Sequence, residues 1–92
     1  MKQLLWCLFA GTRGGQTRGE IMQYLNKTPS NANKVANALS LDYKTVRHHL
    51  DILEKNRFIY AINKGTYGAV FFLTPEFEKE EVLFREIMAQ FG

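Results

Sequence analysis

Leu41-Asp42-Tyr43-Lys44-Thr45-Val46-Arg47-His48-His49-Leu50, followed by Leu53, is the stretch on which the fold turns. Asp42 has the short acceptor side chain that caps a helix, and its charge suits the positive end of the helix dipole. The spacing predicts a helix over about residues 43–56. At 100° per residue, Val46, His49, Leu50 and Leu53 collect on one side, and Tyr43, Lys44, Arg47, His48, Asp51 and Lys55 on the other. One face is therefore built for a core. The other, near the helix start, is cationic, aromatic and rich in hydrogen-bond donors.

Upstream, Ser40-Leu41 leaves room only for a tight turn. Before it Ala32, Val35, Ala36 and Leu39 fall at i, i+3, i+4 and i+7, a narrow stripe of mostly small residues that admits a close helix, with Ser30 or Asn31 as its cap. Further back, Thr17-Arg18-Gly19-Glu20 has the spacing of a capping box. It predicts a helix over 17–26, with Ile21, Met22, Tyr24 and Leu25 as its apolar residues and Asn26-Lys27-Thr28-Pro29 as its close. Residues 17–56 thus read as a three-helix core.

Downstream, Phe58-Ile59-Tyr60-Ala61-Ile62 and Ala69-Val70-Phe71-Phe72-Leu73 are aromatic and β-branched runs of strand length. Asn63-Lys64-Gly65-Thr66-Tyr67-Gly68 between them supplies a glycine-bearing tip, so residues 58–73 read as an antiparallel hairpin. Lys64, Thr66 and Tyr67 are expected at its end. Thr74 as cap and Pro75 at the first helical position open a last helix over 75–91. Its stripe of Phe84, Ile87, Met88 and Phe91, with Phe77 and Val82 earlier, must be covered. The candidates are the first ten residues and a second subunit, and a two-fold dimer is the favoured expectation.

Residues 1–10 start with Lys2 and continue apolar, but the run from Leu4 to Ala10 is far short of the roughly 20 residues of a membrane span and stops at Gly11-Thr12-Arg13-Gly14-Gly15. A short helix with Leu4, Leu5 and Leu8 on one face, or an edge strand, is expected there, with Cys7 as a small core residue. No membrane partner is expected.

The 92 residues, 46% hydrophobic and 23% charged, fit one globular domain. A single cysteine excludes an internal disulfide framework, and with only His48 and His49 beside it no metal or other cofactor is expected; neighbouring helix residues point 100° apart and chelate poorly. A reducing cytoplasmic setting follows, with the chain associated with the nucleoid. Residues 1–64 hold ten of the twelve Lys and Arg and four of the nine acids, a net +6, while residues 65–92 carry −3. The first part suits a polyanion. No set of nucleophile, base and orienting group is present, nor a phosphate loop, so an enzyme is not expected.

In order, these elements give a mainly α fold with a small β-hairpin (α+β). The chain resembles winged helix-turn-helix regulators of the arsenic-repressor-like (ArsR-like) kind, especially the small archaeal-type proteins. The resemblance rests on Gly11 to Gly15, on Asn31-Ala32-Asn33-Lys34-Val35-Ala36, on the string from Leu41 to Leu50 with Leu53, and on Gly65 to Phe72, and it covers about residues 11–73. It implies flanking terminal helices, a homodimer formed through the N-terminal segment and the C-terminal helix, and double-stranded DNA as partner. Residues 43–48 would then enter the major groove, with Arg47 bidentate on guanine, Lys44 and His48 on a base edge or phosphate, and Tyr43 and Thr45 on a thymine methyl or phosphate. The start of the preceding helix, Asn31, Asn33 and Lys34, would lie near phosphate. The wing, Lys64 to Tyr67 with Thr66 between, would follow the backbone or the minor groove. Metal-sensing relatives use cysteine clusters, which this sequence lacks. The competing readings are a winged-helix protein-interaction module in a transcription assembly and a nonspecific, chromatin-like DNA binder; the first would bind with little salt dependence and the second without sequence preference.

Overall fold

In the computed structural model, which describes residues 2–65 and 68–91, the chain runs α1 (Lys2–Phe9), α2 (Gly15–Lys27), α3 (Ala32–Leu39), α4 (Tyr43–Lys55), β1 (Ile59–Ile62), β2 (Val70–Leu73), α5 (Pro75–Glu78) and α6 (Glu81–Met88), ending in a 3-10 turn at Ala89–Phe91. Asn31 and Asp42 cap α3 and α4 as their chemistry predicts: Asn31 Oδ1 accepts from the Lys34 amide at 2.8 Å and Asp42 Oδ2 from the Thr45 amide at 3.2 Å. Between them Ser40 takes a left-handed conformation (φ 55°) and the Leu41 amide returns to the Ala36 carbonyl, which sets α4 across α3. Replacing Asp42 with alanine is expected to cost about 1 kcal/mol, seen as a lower urea midpoint with an unchanged slope.

Two expectations at the N-terminal end are corrected. The capping box at Thr17 and Glu20 does not form, because α2 begins two residues earlier, after a left-handed Gly14, with no side-chain cap. The cause is a close approach: a side chain on Gly15 would run into the Phe9 carbonyl, so α1 and α2 meet backbone to backbone there. Cys7 is exposed rather than in the core, and the buried face of α1 is Leu5 and Phe9 with Leu8 partly covered, leaving Leu4 at the surface. Leu5 and Phe9 are one helical turn apart, which points Cys7 away from them.

The hairpin pairs Ile59 with Leu73, Tyr60 with Phe72, Ala61 with Phe71 and Ile62 with Val70. Each strand is one residue shorter than expected: Phe58 is wholly buried ahead of β1, and Ala69 precedes β2. The Phe71 amide also donates to the Ser30 carbonyl at 3.0 Å, so the segment leading into α3 docks on the wing. Thr66 and Tyr67 lie outside the described residues.

The single helix expected over 75–91 is broken after Glu78. Thr74 caps α5 through the Phe77 amide while its own hydroxyl donates to the Arg57 carbonyl at 2.7 Å. An unbroken helix would have placed Glu80 and Glu81 on the same stripe as Phe77 and Phe84, three and four residues on, and the break keeps both carboxylates out of the core. Glu81 instead pairs with Arg85 at 2.8 Å. The apolar stripe of α6 is covered within the chain: Phe84, Ile87 and Met88 are buried and α1 packs on both α2 and α6. Phe9, Phe58, Phe77 and Phe84 form one ring cluster, with Phe9 stacked on Phe58 at 5.9 Å and edge-on to Phe84 at 5.0 Å. Leu4, Trp6, Val82 and Phe91 stay exposed.

Candidate nucleic-acid interface

The start of α3, the first half of α4 and the base of the wing close around one open cleft of about 580 Å³, lined by Ala32, Asn33, Tyr43, Arg47, Gly65, Ala69 and Phe71. Three of the residues singled out in the sequence, Asn33, Tyr43 and Arg47, meet there. Lys34, Lys44, Thr45 and His48 are exposed on the same two helices. Asn31 has its side-chain oxygen engaged in the α3 cap. Beneath this surface Val46, His49, Leu50 and Leu53 are buried, the division of α4 that the 100° count predicts.

Arg47 is held from two sides. Its guanidinium pairs with Asp51 at 3.2 Å, one helical turn on, and lies 5.8 Å from the centre of the Phe71 ring. Asp51 and Phe71 were not singled out as site residues; the i, i+4 spacing of Arg47 and Asp51 was a readable signal, whereas the contact with Phe71 depends on the hairpin folding back. Lys64 is not a free cation at the wing: it pairs with Glu54 on α4 at 2.7 Å. Thr66 and Tyr67, the rest of the expected tip, lie outside the described residues.

One more buried polar residue beside the interface escaped sequence reasoning. Arg18, 4% exposed, has its Nε donating to the Leu8 carbonyl at 2.9 Å, one terminal nitrogen donating to Thr12 Oγ1, and the other 3.4 Å from Nδ1 of buried His49. Arg18 stands three, four and seven residues before Ile21, Met22 and Leu25, so helical spacing places it on the buried face of α2; its charge, not its position, kept it off the list of core residues. Burial pulls its guanidinium below the usual arginine range, offset in part by the Cys7 thiol. The same burial, then Arg18, then His48, holds the His49 imidazole below the usual histidine value.

Three helices of which the last presents its outer face, followed by a two-stranded wing, define a winged helix-turn-helix fold. The sequence model of the arsR family of bacterial regulatory proteins matches residues 15–61, just over half of the chain and spanning α2 to β1, and the chain belongs to that family. No curated protein matches it in sequence. Among solved structures it is similar to the transcriptional regulator SlyA (TM-score 0.69, 16% identity, covering 92% of this chain and 63% of that one). It is also similar to FabT of Streptococcus pneumoniae in complex with DNA (TM-score 0.66, 16% identity, covering 97% of this chain and 66% of that one). The chain thus spans just under two thirds of the length of either, and at this identity the likeness is one of fold. No helix among the described residues is long and apolar enough to cross a membrane.

Proposed function

We propose that the chain is a sequence-specific double-stranded DNA-binding transcription regulator that reads the major groove with residues 43–48 of α4. The observation that supports this most is the cleft in which Asn33, Tyr43 and Arg47 converge beside the wing, on a chain of the arsR family. Arg47 contacts guanine, Lys44 and His48 a base edge or phosphate, Tyr43 and Thr45 a thymine methyl or phosphate, and Asn31, Asn33 and Lys34 the backbone beside α3. The wing, with Lys64, Thr66 and Tyr67, follows the backbone or minor groove. FabT, of similar fold, was solved on DNA. The acting form is a homodimer joined through the outer faces of α1 and α6, where Leu4, Trp6, Val82 and Phe91 remain exposed, and it works where the DNA is, in the cytoplasm on the nucleoid.

Selection of duplexes from a random library, followed by salt titration of the winners, tests the reading. A short inverted repeat with half-sites about one helical turn apart and a steep salt slope is expected. Retention without sequence preference would reduce the chain to a nonspecific binder, and loss of all duplexes at moderate salt would overturn DNA binding in favour of protein docking. In the same assay Lys64→Ala is expected to weaken every duplex alike and lower the salt slope by less than the roughly one unit of an unpaired cation, because Glu54 already matches its charge. Glu54→Gln, which removes the partner of Lys64, is expected to tighten every duplex.

A further inference from the structure

The buried guanidinium of Arg18 joins three separate parts of the chain: the last turn of α1 through the Leu8 carbonyl, the α1–α2 connection through Thr12, and α4 through His49. All three partners are neutral. Arginine offers only N–H donors and no acceptor. For the contact to be a hydrogen bond, the imidazole atom that faces it, Nδ1 at 3.4 Å, has to be the unprotonated nitrogen, with the ring proton on Nε2. His49 is 7% exposed, and its ring lies against Gly14, where a side chain would crowd it. A second proton on the ring would set an N–H against an N–H and place two cations side by side.

We propose that Arg18 and His49 are the positioning couple of the DNA-reading helix, holding the first half of α4 against the α1–α2 corner only while His49 is neutral, so that acid releases the helix and weakens DNA binding. The proposal rests on the DNA-binding reading above. His49 lies on the core side of α4, between Val46 and Leu50, while Arg47 and His48 precede it on the outer side. A shift that relieves His49 therefore moves the groove-facing residues with it.

The other titratable groups acting on the couple are His48, whose ring is 5.5 Å from that of His49, and Cys7 of α1, which bears on Arg18. With its value held below the ordinary 6.5, folded His49 stays neutral where the unfolded chain already binds a proton. Its stabilising arrangement is complete above about pH 6.5 and declines as the pH falls from there toward the lower folded value.

His48 is exposed on the outer side of α4, so His48→Gln takes a second imidazole off that surface and leaves the acid response of binding to His49. Affinity for the selected duplex is therefore measured from pH 7.5 to 5 at fixed salt in the His48→Gln protein and in His48→Gln with His49→Asn, whose amide oxygen can accept from Arg18 but takes no proton. The pH dependence is read within each protein. His48→Gln is expected to lose affinity on acidification, by up to about tenfold per pH unit, the limit for one proton, and the double variant to be flat. Unchanged or tighter binding of His48→Gln in acid, or an equal loss in the double variant, overturns the proposal. Nitrogen NMR of the histidine rings in the unsubstituted full chain keeps the two readings apart, because it needs no DNA. A neutral Nε2–H ring at His49 that titrates below the ordinary 6.5 supports the couple even if no duplex binds and the DNA reading falls. A neutral Nδ1–H ring, or titration of His49 at or above 6.5, overturns it even if DNA binds.

Discussion

Phe9→Ala is expected to lower the unfolding free energy by about 3 to 5 kcal/mol, the range for truncating a fully buried phenylalanine. Phe9 is wholly buried and touches the rings of Phe58, Phe77 and Phe84, which come from the wing base, α5 and α6. Removing it empties the centre of a cluster whose members belong to different elements, so no single side chain can fall in to close the cavity. For a domain of this size, whose whole stability is of the order of 5 to 15 kcal/mol, the loss should leave a protein that melts early or not cooperatively. Equilibrium urea unfolding followed by circular dichroism measures it. Gln3→Ala, exposed on the same helix, is the control and should stay within about 0.5 kcal/mol. If the two variants were equally stable, α1 would not be docked in solution as the structure has it, and the apolar stripe of α6 would need another cover.

Arg47→Ala is expected to weaken binding to the selected duplex by about 1 to 3 kcal/mol and to relax preference at one base pair of each half-site. The loss has three parts of unequal size. The pair with Asp51, between side chains 36% and 64% exposed, is of the surface kind, which contributes less than about 1 kcal/mol; it is also broken when the guanidinium turns to a base, so its removal offsets little. The position 5.8 Å from the Phe71 ring centre restrains the side chain before it binds. The largest part is the proposed two-point contact with guanine, which only the planar fork of arginine can make. Arg47→Lys therefore separates charge from geometry: it should keep affinity for unselected duplex and lose the preference. A competition binding assay with selected and scrambled duplexes reads both quantities. Wild-type discrimination in Arg47→Ala would move the reading residue elsewhere on α4.

The helices and their caps were legible wherever a local rule acts alone. Asn31, Asp42 and Thr74 each have a short acceptor at the right distance from an apolar periodic run, and each caps its helix. The buried and exposed faces of α4 follow from the 100° count for the same reason. The misreadings occur where a contact distant in sequence overrides a local one. The Thr17 capping box gives way because the meeting of Gly15 with Phe9 starts α2 early, and Cys7 is displaced from the core because Phe9 rather than Leu4 anchors α1. The break after Glu78 was readable in principle from Glu80 and Glu81 on the apolar stripe. At the interface, the outward residues of α3 and α4 could be named from periodicity. The place of Arg18 on the stripe of Ile21, Met22 and Leu25 was there to be read, but its bonds to Leu8 and His49 and the pairing of Lys64 with Glu54 were not, because these join residues ten or more apart.

On the DNA-facing side, Arg47 and Lys64 each stand beside a carboxylate of α4. A cation already matched by its own chain releases fewer counterions when it meets phosphate, because the acid left behind must be resolvated and screened. On the proposed DNA-binding reading, unselected DNA would give back little for the exchange, and residence there would be short. Only a site presenting a guanine edge in register with Arg47 would add a contact that the carboxylate does not equal. The two acids would then act as a brake on idle capture, so that a small basic chain spends its time moving between sites rather than stalled on the wrong ones.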